Sequence, residues 1–410
     1  MAAFAIKDAH ALMNALYRQA TGETISVQDH AGFVDAGTKT LATGTENVLN
    51  SIARTIKDVV IQSRPYTGKF KLISATEDAF NTRIAKISVY NSYNDESGAF
   101  NTDLNTNIAN GNNDDSGAGS QWEQKLPKVV ERFFLSEVAW DKFYTTPLIQ
   151  LQSAFNDEAK FVEFWNAIMT EIQNDIEETI EARNRAIVAD RIAGTKLMVD
   201  AKKIGPESFV NLTELVNKEY GTTWTTDEIL TAHKEEFLKV YVAKIKIDSD
   251  RLEERTKFYH DAMEITDGGV KYQILRHTPK ANQKLMYFGE LFTKAKVNVM
   301  PEIFNPSYLD TANGEAVTYW QSSNDADRMK VACKPALPDG TASSNVTIDK
   351  VVGILFDTEA MSTINQFTGA YTTPVNARKV YTNTFYHYKF GSVQDYTENA
   401  IVYYMADPQK

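Results

Sequence analysis

The 410 residues are 43% hydrophobic and 24% charged, which supports a sizeable core and fits two or three domains or one large elaborated one. A formal net charge of −11, without a basic tail or stripe, argues against a protein that grips nucleic acid by releasing counterions. The single cysteine, Cys333, excludes an internal disulfide framework and a Cys-based zinc site.

No run of about 18 apolar residues occurs, so no transmembrane helix and no membrane partner are expected. Lys7, Asp8 and Arg18 interrupt the apolar residues at the N-terminus, where a signal peptide needs an uninterrupted apolar stretch. Synthesis in the cytoplasm is the expectation.

Along the chain, a short helix over about 7–19 precedes a Thr/Gly-rich stretch, DAGTKTLATGTEN. A second helical run follows, VLNSIARTIKDVV, and Pro65 ends that segment. KFKLIS and RIAKISVYNSY alternate apolar and polar residues and read as strands. From Asn91 to Gln121 the chain turns to Asn, Asp, Ser and Gly, a composition that cannot bury enough apolar surface to order itself. It ends at Trp122, and the extended run KLPKVVERFFLSEVAWDKFY comes next. Two strand-like runs around one polar tip predict a long hairpin. Such a ribbon is marginal alone in water, so it should find its partner elsewhere, another copy of the chain being one candidate.

Residues 157–193 run without Pro or Gly, and Phe161, Trp165, Ile168, Ile172, Ile176, Ile180 and Ile187 fall at helical spacing. Gly194 reads as a C-terminal stop, and the helix would be about 55 Å long. A shorter helix is expected after Pro206. Thr225 and Glu228 then stand at the reciprocal positions of a capping box, opening a helical span to roughly Met263. Short strands close the chain: KLMYF, AKVNVMP, KVVGILFD and YTNTFYHYKFGSVQDYTENAIVYY. The class is α+β.

Chemistry-bearing patterns are few. His10, His30, His233, His260, His277 and His387 stand alone, without H-x-H, H-E-x-x-H or Glu-x-x-His, so each reads as a surface or packed histidine. YTGKF ends like a phosphate loop, but Ser63 replaces its first Gly and Phe70 its Ser/Thr. Asn112, Asp114, Ser116, Gly117 and Glu123 match a calcium loop in part. Asn112 stands where Asp is usual and no helices flank the loop, which leaves Asp114 and Glu123 as weak metal candidates in a flexible tip. No catalytic constellation and no cofactor site emerge, and an enzyme is not expected.

The aromatic terminal stretch could be a base-stacking platform, but Lys389 is its only basic residue apart from His387, whereas base stacking is paired with Lys and Arg tracking the phosphates. Tyr381, Phe385 and His387 alternate with Thr384, Tyr386 and Tyr388, so a strand covered on both faces is the better reading.

The stretch from QWEQKLPKVVERFF to EARNRAIVAD, together with YTNTFYHYKFGSVQDYTENAIVYY, resembles the major capsid protein of tailed bacteriophages, more narrowly that of the short-tailed phi-29 kind. The likeness covers about Phe70–Ala193 and Phe356–Tyr404 and lies in element order and aromatic clusters. It implies the Hong Kong-97 fold: an N-terminal arm (1–62), an extended E-loop hairpin (63–127), and a peripheral domain (128–205) with a spine helix (157–193). An axial domain (206–376) and C-terminal strands returning to the peripheral domain (377–410) would complete it.

The resemblance further implies hexamers and pentamers in an icosahedral shell around double-stranded DNA bound without sequence specificity. Scaffolding and portal proteins are the implied partners beside the chain itself. The place is the virion, after assembly in the host cytoplasm. Lys69, Tyr90, Tyr93, Phe100, Trp122, Glu171, Glu178 and Arg185 are then candidate assembly contacts. Lys69, Lys71 and Lys86 lie near or in the hairpin, with no flanking pattern that marks one for cross-linking. A single-stranded nucleic-acid binder, or a cellular compartment shell of the same fold, are the alternatives.

Overall fold

In the computed structural model the described residues are 6–43, 70, 73–75, 84–92, 128–134, 137–147, 158–267, 270–293, 314–322, 327–337 and 344–407. They form two compact units, each assembled from separate stretches of chain.

The first unit holds residues 1–82, 136–184 and 363–391. Helix α1 (Ile6–Thr21) and helix α2 (His30–Ala42) pack together. Ala9, Met13 and Leu16 are one face of α1 and are fully buried with Phe33 and Ala36 of α2. The Thr/Gly-rich stretch after α1 is therefore helical in its first part, contrary to the sequence expectation. Asp29 caps α2 by accepting from the Gly32 N–H at 2.7 Å, and Phe33, Ala36 and Thr40 turn one stripe inward. The expected helix over VLNSIARTIKDVV lies outside the described residues.

The sheet of this unit has the order β1-β13-β14-β4 (Ser74–Ala75, Met361–Thr372, Tyr381–Gln394, Glu137–Pro147). Strand β14 runs antiparallel to β4, with Phe385 opposite Phe143 and Tyr388 opposite Trp140. Tyr386 enters the core with Phe161 and Ile172 of the long helix α3 (Glu158–Asp200, 43 residues).

Residues 83–135, 185–362 and 392–410 make the second unit. Its centre is a five-stranded sheet, β5-β15-β12-β8-β9 (Phe209–Asn211, Ala400–Tyr404, Val351–Asp357, Gln283–Phe288, Gly314–Val317). All seven residues of β12 are buried, as a strand covered on both faces requires. Helices α4 (Leu212–Tyr220), α5 (Thr226–Thr231) and α6 (Lys234–Leu252) supply Leu212, Val216, Ile229, Phe237, Leu238, Tyr241 and Ile245 to the core shared with that sheet. Gly221, at φ 63°, ends α4 in the left-handed conformation that suits glycine. The capping box at Thr225 and Glu228 forms as the spacing predicts.

Two helix ends differ from the sequence expectation. The helical span after the capping box stops at Leu252 rather than near Met263, because Thr256 pairs backbone to backbone with Arg276. Helix α3 runs through Gly194 to Asp200. A Cβ at Gly194 would lie 1.8 Å from the Tyr396 hydroxyl, so the glycine makes room for a ring and is not a helix stop.

Candidate assembly surface

Strand β2 (Ile84–Ser92) and strand β3 (Lys128–Phe134) pair antiparallel along their length, from Ile84 opposite Phe134 to Tyr90 opposite Lys128. Two of the expected strand-like runs thus pair as a hairpin, its second strand lying beyond the expected bound of 127; residues 93–127 lie outside the described residues. The hairpin also finds a partner in its own chain. Asn91 and Ser92 pair with β7 (Val270–Gln273), which pairs with β6 (Ile265–Asp267), giving the order β3-β2-β7-β6. The partner expected elsewhere is thus, for Asn91 and Ser92, another segment of the same chain.

The two faces of the hairpin divide by strand alternation. Ile87, Val89, Val129 and Phe133 are exposed together with Glu131, and Ile87 keeps 66% of its surface open. Lys86, Ser88 and Tyr90 of β2 and Arg132 of β3 face the body of the unit. Usually the apolar face of a sheet packs on the core and the polar face meets water. Here the inward face carries Lys86 and Arg132 among Tyr90, Val130 and Phe134, while the outward face leaves Ile87, Val89, Val129 and Phe133 in water beside Glu131.

What receives the charged face is a turn between β14 and β15. Asp395 is fully buried, and its Oδ1 accepts from the Thr397 N–H at 2.9 Å and the Thr397 hydroxyl at 2.6 Å. Lys86 Nζ lies 3.2 Å from Asp395 Oδ2 and 2.5 Å from Glu398 Oε1, and Arg132 Nη1 is 3.3 Å from Asp395 Oδ1. Arg276 reaches Glu398 at 3.0 Å and donates to the Ser88 hydroxyl at 2.8 Å.

From helix α3, the fully buried Arg191 donates to the backbone carbonyls of Asp395 (2.7 Å) and Glu398 (2.9 Å) and lies over the Tyr396 ring. Burial raises a carboxylate's pKa, yet Lys86, Thr397 and Arg132 outweigh it and hold Asp395 below its ordinary value. For Glu398 burial wins, and its pKa is raised.

The first unit carries its own open aromatic face. Phe143 and Tyr371 are exposed, and Phe385 and His387 lie beside them, with ring centroids 5.5 Å (Phe143–Phe385) and 5.6 Å (Tyr371–His387) apart. The opposite side of β14 buries Thr382, Thr384 and Tyr386. One face of this strand is covered and the other half-open, rather than both being covered. Tyr386 lies in the core and presents no ring to stack on a base.

Of the sequence candidates, Tyr90 is buried and donates to Met263 Sδ at 3.7 Å. Period-two alternation places it with Ser88 on the inner face, so it is no surface contact. Arg185 is likewise buried, with its guanidinium 3.7 Å above the Tyr319 ring. Glu171 and Glu178 are exposed on α3. Lys69, Tyr93, Phe100, Trp122, Asp114 and Glu123 lie outside the described residues. Ile87, Val89 and Val129, the outward neighbours of Tyr90, were legible in the alternation of RIAKISVYNSY and KVVERFF once the inner face was known.

Among the described residues no cluster of three metal-ligating side chains is found, and no helix is long and apolar enough to cross a membrane. His260 is fully buried, with Nδ1 2.9 Å from Asn399 Oδ1 and Nε2 2.9 Å from the Ile274 carbonyl. Burial pushes the Cys333 thiol up to about 12, which keeps it protonated at neutral pH.

A family model described as Phi29-like phage major capsid protein matches residues 11–404. No curated protein sequence matches. Among solved structures, the capsid structure of Staphylococcus phage Andhra aligns with a TM-score of 0.52 at 9% identity, covering 85% of this chain and 87% of that one. A structure of the head fiber and inner core protein gp22 of bacteriophage P68 aligns at 0.49 and 9% identity, covering 84% and 86%. The capsid structure of the cyanophage P-SCSP1u aligns at 0.45 and 12%, covering 85% and 91%. The Andhra alignment agrees with the mixed helix-and-sheet fold found here, and the family match spans nearly the whole sequence. The chain belongs to the Phi29-like phage major capsid protein family.

Proposed function

We propose that copies of this chain join into hexamers and pentamers, and these into an icosahedral shell, by burying the outward face of the β2–β3 hairpin against a neighbouring copy. The observation that carries this reading is the facing of the hairpin: Lys86 and Arg132 pair within the chain, while Ile87, Val89 and Val129 face water. Apolar faces of this kind mark surfaces made to be covered. The hairpin face and the aromatic face of the first unit are unlike each other, so a contact that pairs one with the other is head-to-tail, the type that closes into rings.

On this reading the hairpin is the E-loop, α3 the spine helix of a peripheral domain, and the α4–α6 region the axial domain. The enclosed cargo is double-stranded DNA bound without sequence preference. A net charge of −11 suits a wall to which packaged DNA does not adhere. Scaffolding and portal proteins act as assembly partners in the host cytoplasm, and the role is structural rather than catalytic.

Replacing Ile87 by Lys, directly opposite Glu131, together with Val129 by Gln tests the surface. The subunit should keep its wild-type unfolding midpoint, because exposed substitutions shift stability by about 0.5 kcal/mol or less, and shells should be absent in electron micrographs. Shells at wild-type yield would overturn the assignment.

A further inference from the structure

The geometry of the ion cluster beneath the hairpin says what it does. Lys86 and Arg132 are directly opposite each other in the β2–β3 register. Like charges in that position repel, and an isolated hairpin would spread them into water. They converge because Asp395 offers one oxygen to each, Oδ2 to Lys86 and Oδ1 to Arg132.

The receiving turn is built independently of the hairpin. Thr397 fixes the Asp395 carboxylate, Arg191 holds the two backbone carbonyls, and Arg276 holds Glu398. It is a preformed anionic socket for two cations on one face of a ribbon.

We infer that Asp395 and Glu398 are positioning residues that decide which face of the hairpin turns outward, and so keep Ile87, Val89 and Val129 from being buried on their own subunit. This rests on the reading of that outward face as the assembly surface. The alternative packing is easily written: β2 and β3 turned over, with the apolar face on the subunit body. It would bury Ile87, Val89, Val129 and Phe133 in place of Tyr90, Val130 and Phe134, so hydrophobic burial alone does not decide between the two facings. It would also take Lys86 and Arg132 from Asp395, leave Glu398 with Arg276 alone and place aliphatic side chains against both, and a buried charge stripped of its partners is strongly unfavourable. The socket therefore acts against self-burial. It secures specificity of facing, in the same way that polar groups in other interfaces exclude the wrong pairing.

Hydrogen exchange on the unassembled full-length subunit tests the socket without requiring a shell. In Asp395→Asn, amides of 84–92 and 128–134 should exchange about tenfold faster or more, while those of 351–357 and 400–404 keep their wild-type rates. Asp395→Glu should recover part of the protection, and shell yield should fall in Asp395→Asn and return in step with that protection.

If Asp395→Asn does not fold, Lys86→Gln with Arg132→Gln supplies the same reading from the other side, since it removes the cations and leaves the socket whole. Unchanged hairpin exchange in a folded variant of either kind would overturn the inference. Faster exchange with undiminished shell yield would refute the coupling to assembly while leaving the hairpin's anchoring in place. The Ile87 and Val129 experiment reads the assembly surface separately, in a protein whose socket is untouched.

Discussion

The second unit contains two antiparallel strand pairs that solve opposite problems. In β12 and β15, Ile354 opposes Val402 and Leu355 opposes Ile401, and all four are buried. In β2 and β3, Val89 opposes Val129 and both are exposed, while Lys86 opposes Arg132 on the inner side. The first pair stabilises the subunit through burial within one chain. The second is fixed by charge and leaves its apolar area unspent. A strand pair can therefore be a core or a connector with similar residue types, and the deciding feature is which face the rest of the chain covers.

Phe356→Ala should give the largest effect on that contrast. The ring is fully buried in β12, and its removal should cost about 3–5 kcal/mol through lost transfer energy and a residual cavity. Denaturant unfolding of the unassembled subunit reads this as a lower midpoint. A loss as small as that expected at Ile87 would break the distinction between the two pairs.

Gly194→Ala comes next, and its sign is informative. In an open helix interior, alanine stabilises by about 1 kcal/mol relative to glycine. At this position the new Cβ would meet the hydroxyl and Cζ of Tyr396, a ring only 1% exposed. Overpacking of that kind costs about 1–3 kcal/mol, so net destabilisation is expected in thermal melts. A rise in melting temperature would mean that Tyr396 yields, and that Gly194 is not kept for its approach.

These cases also mark what the sequence could disclose. Strands β2, β3, β8, β12, β14 and β15 and the capping box at Thr225 were legible because alternation and capping are local. Helix α2 was legible in principle, through Asp29 and the 33, 36, 40 stripe, but its Gly and Thr content left it without an assigned element. Gly194 was misread because the ring that needs its space comes from a turn some two hundred positions later, and no local pattern records that approach.

The socket was invisible for the same reason. Lys86 and Glu398 stand 312 positions apart, and no local pattern pairs them. Alternation gave the candidate face of the hairpin only as two options, and the buried partner Asp395 decides between them.

The smallest expected effect is on acid response, and it separates the two carboxylates of the socket. Asp395 is held below its ordinary value of 3.8, so the stability it contributes is complete above that value and lost as pH falls through its lower folded value. Glu398 is raised above 4.5. Its folded form takes up a proton before the unfolded chain does, so its contribution becomes less favourable as pH rises through the raised value. The charges around the pair come from every side: Lys86 on β2, Arg132 on β3, Arg276, Glu359 beside Lys86, and Arg191 from α3.

Unfolding midpoints at about pH 3, 5 and 7 should therefore give opposite trends relative to wild type. The deficit of Asp395→Asn should shrink toward pH 3, because below the ordinary value of 3.8 the unfolded wild-type chain takes up a proton that the folded one resists. For Glu398→Gln, an uncharged mimic of the protonated side chain, the change in stability should be most favourable at pH 7 and least so at pH 3. Parallel trends in the two variants would mean that the carboxylates titrate as one group, and that the socket does not divide its work between a fixed charge at Asp395 and a secondary one at Glu398.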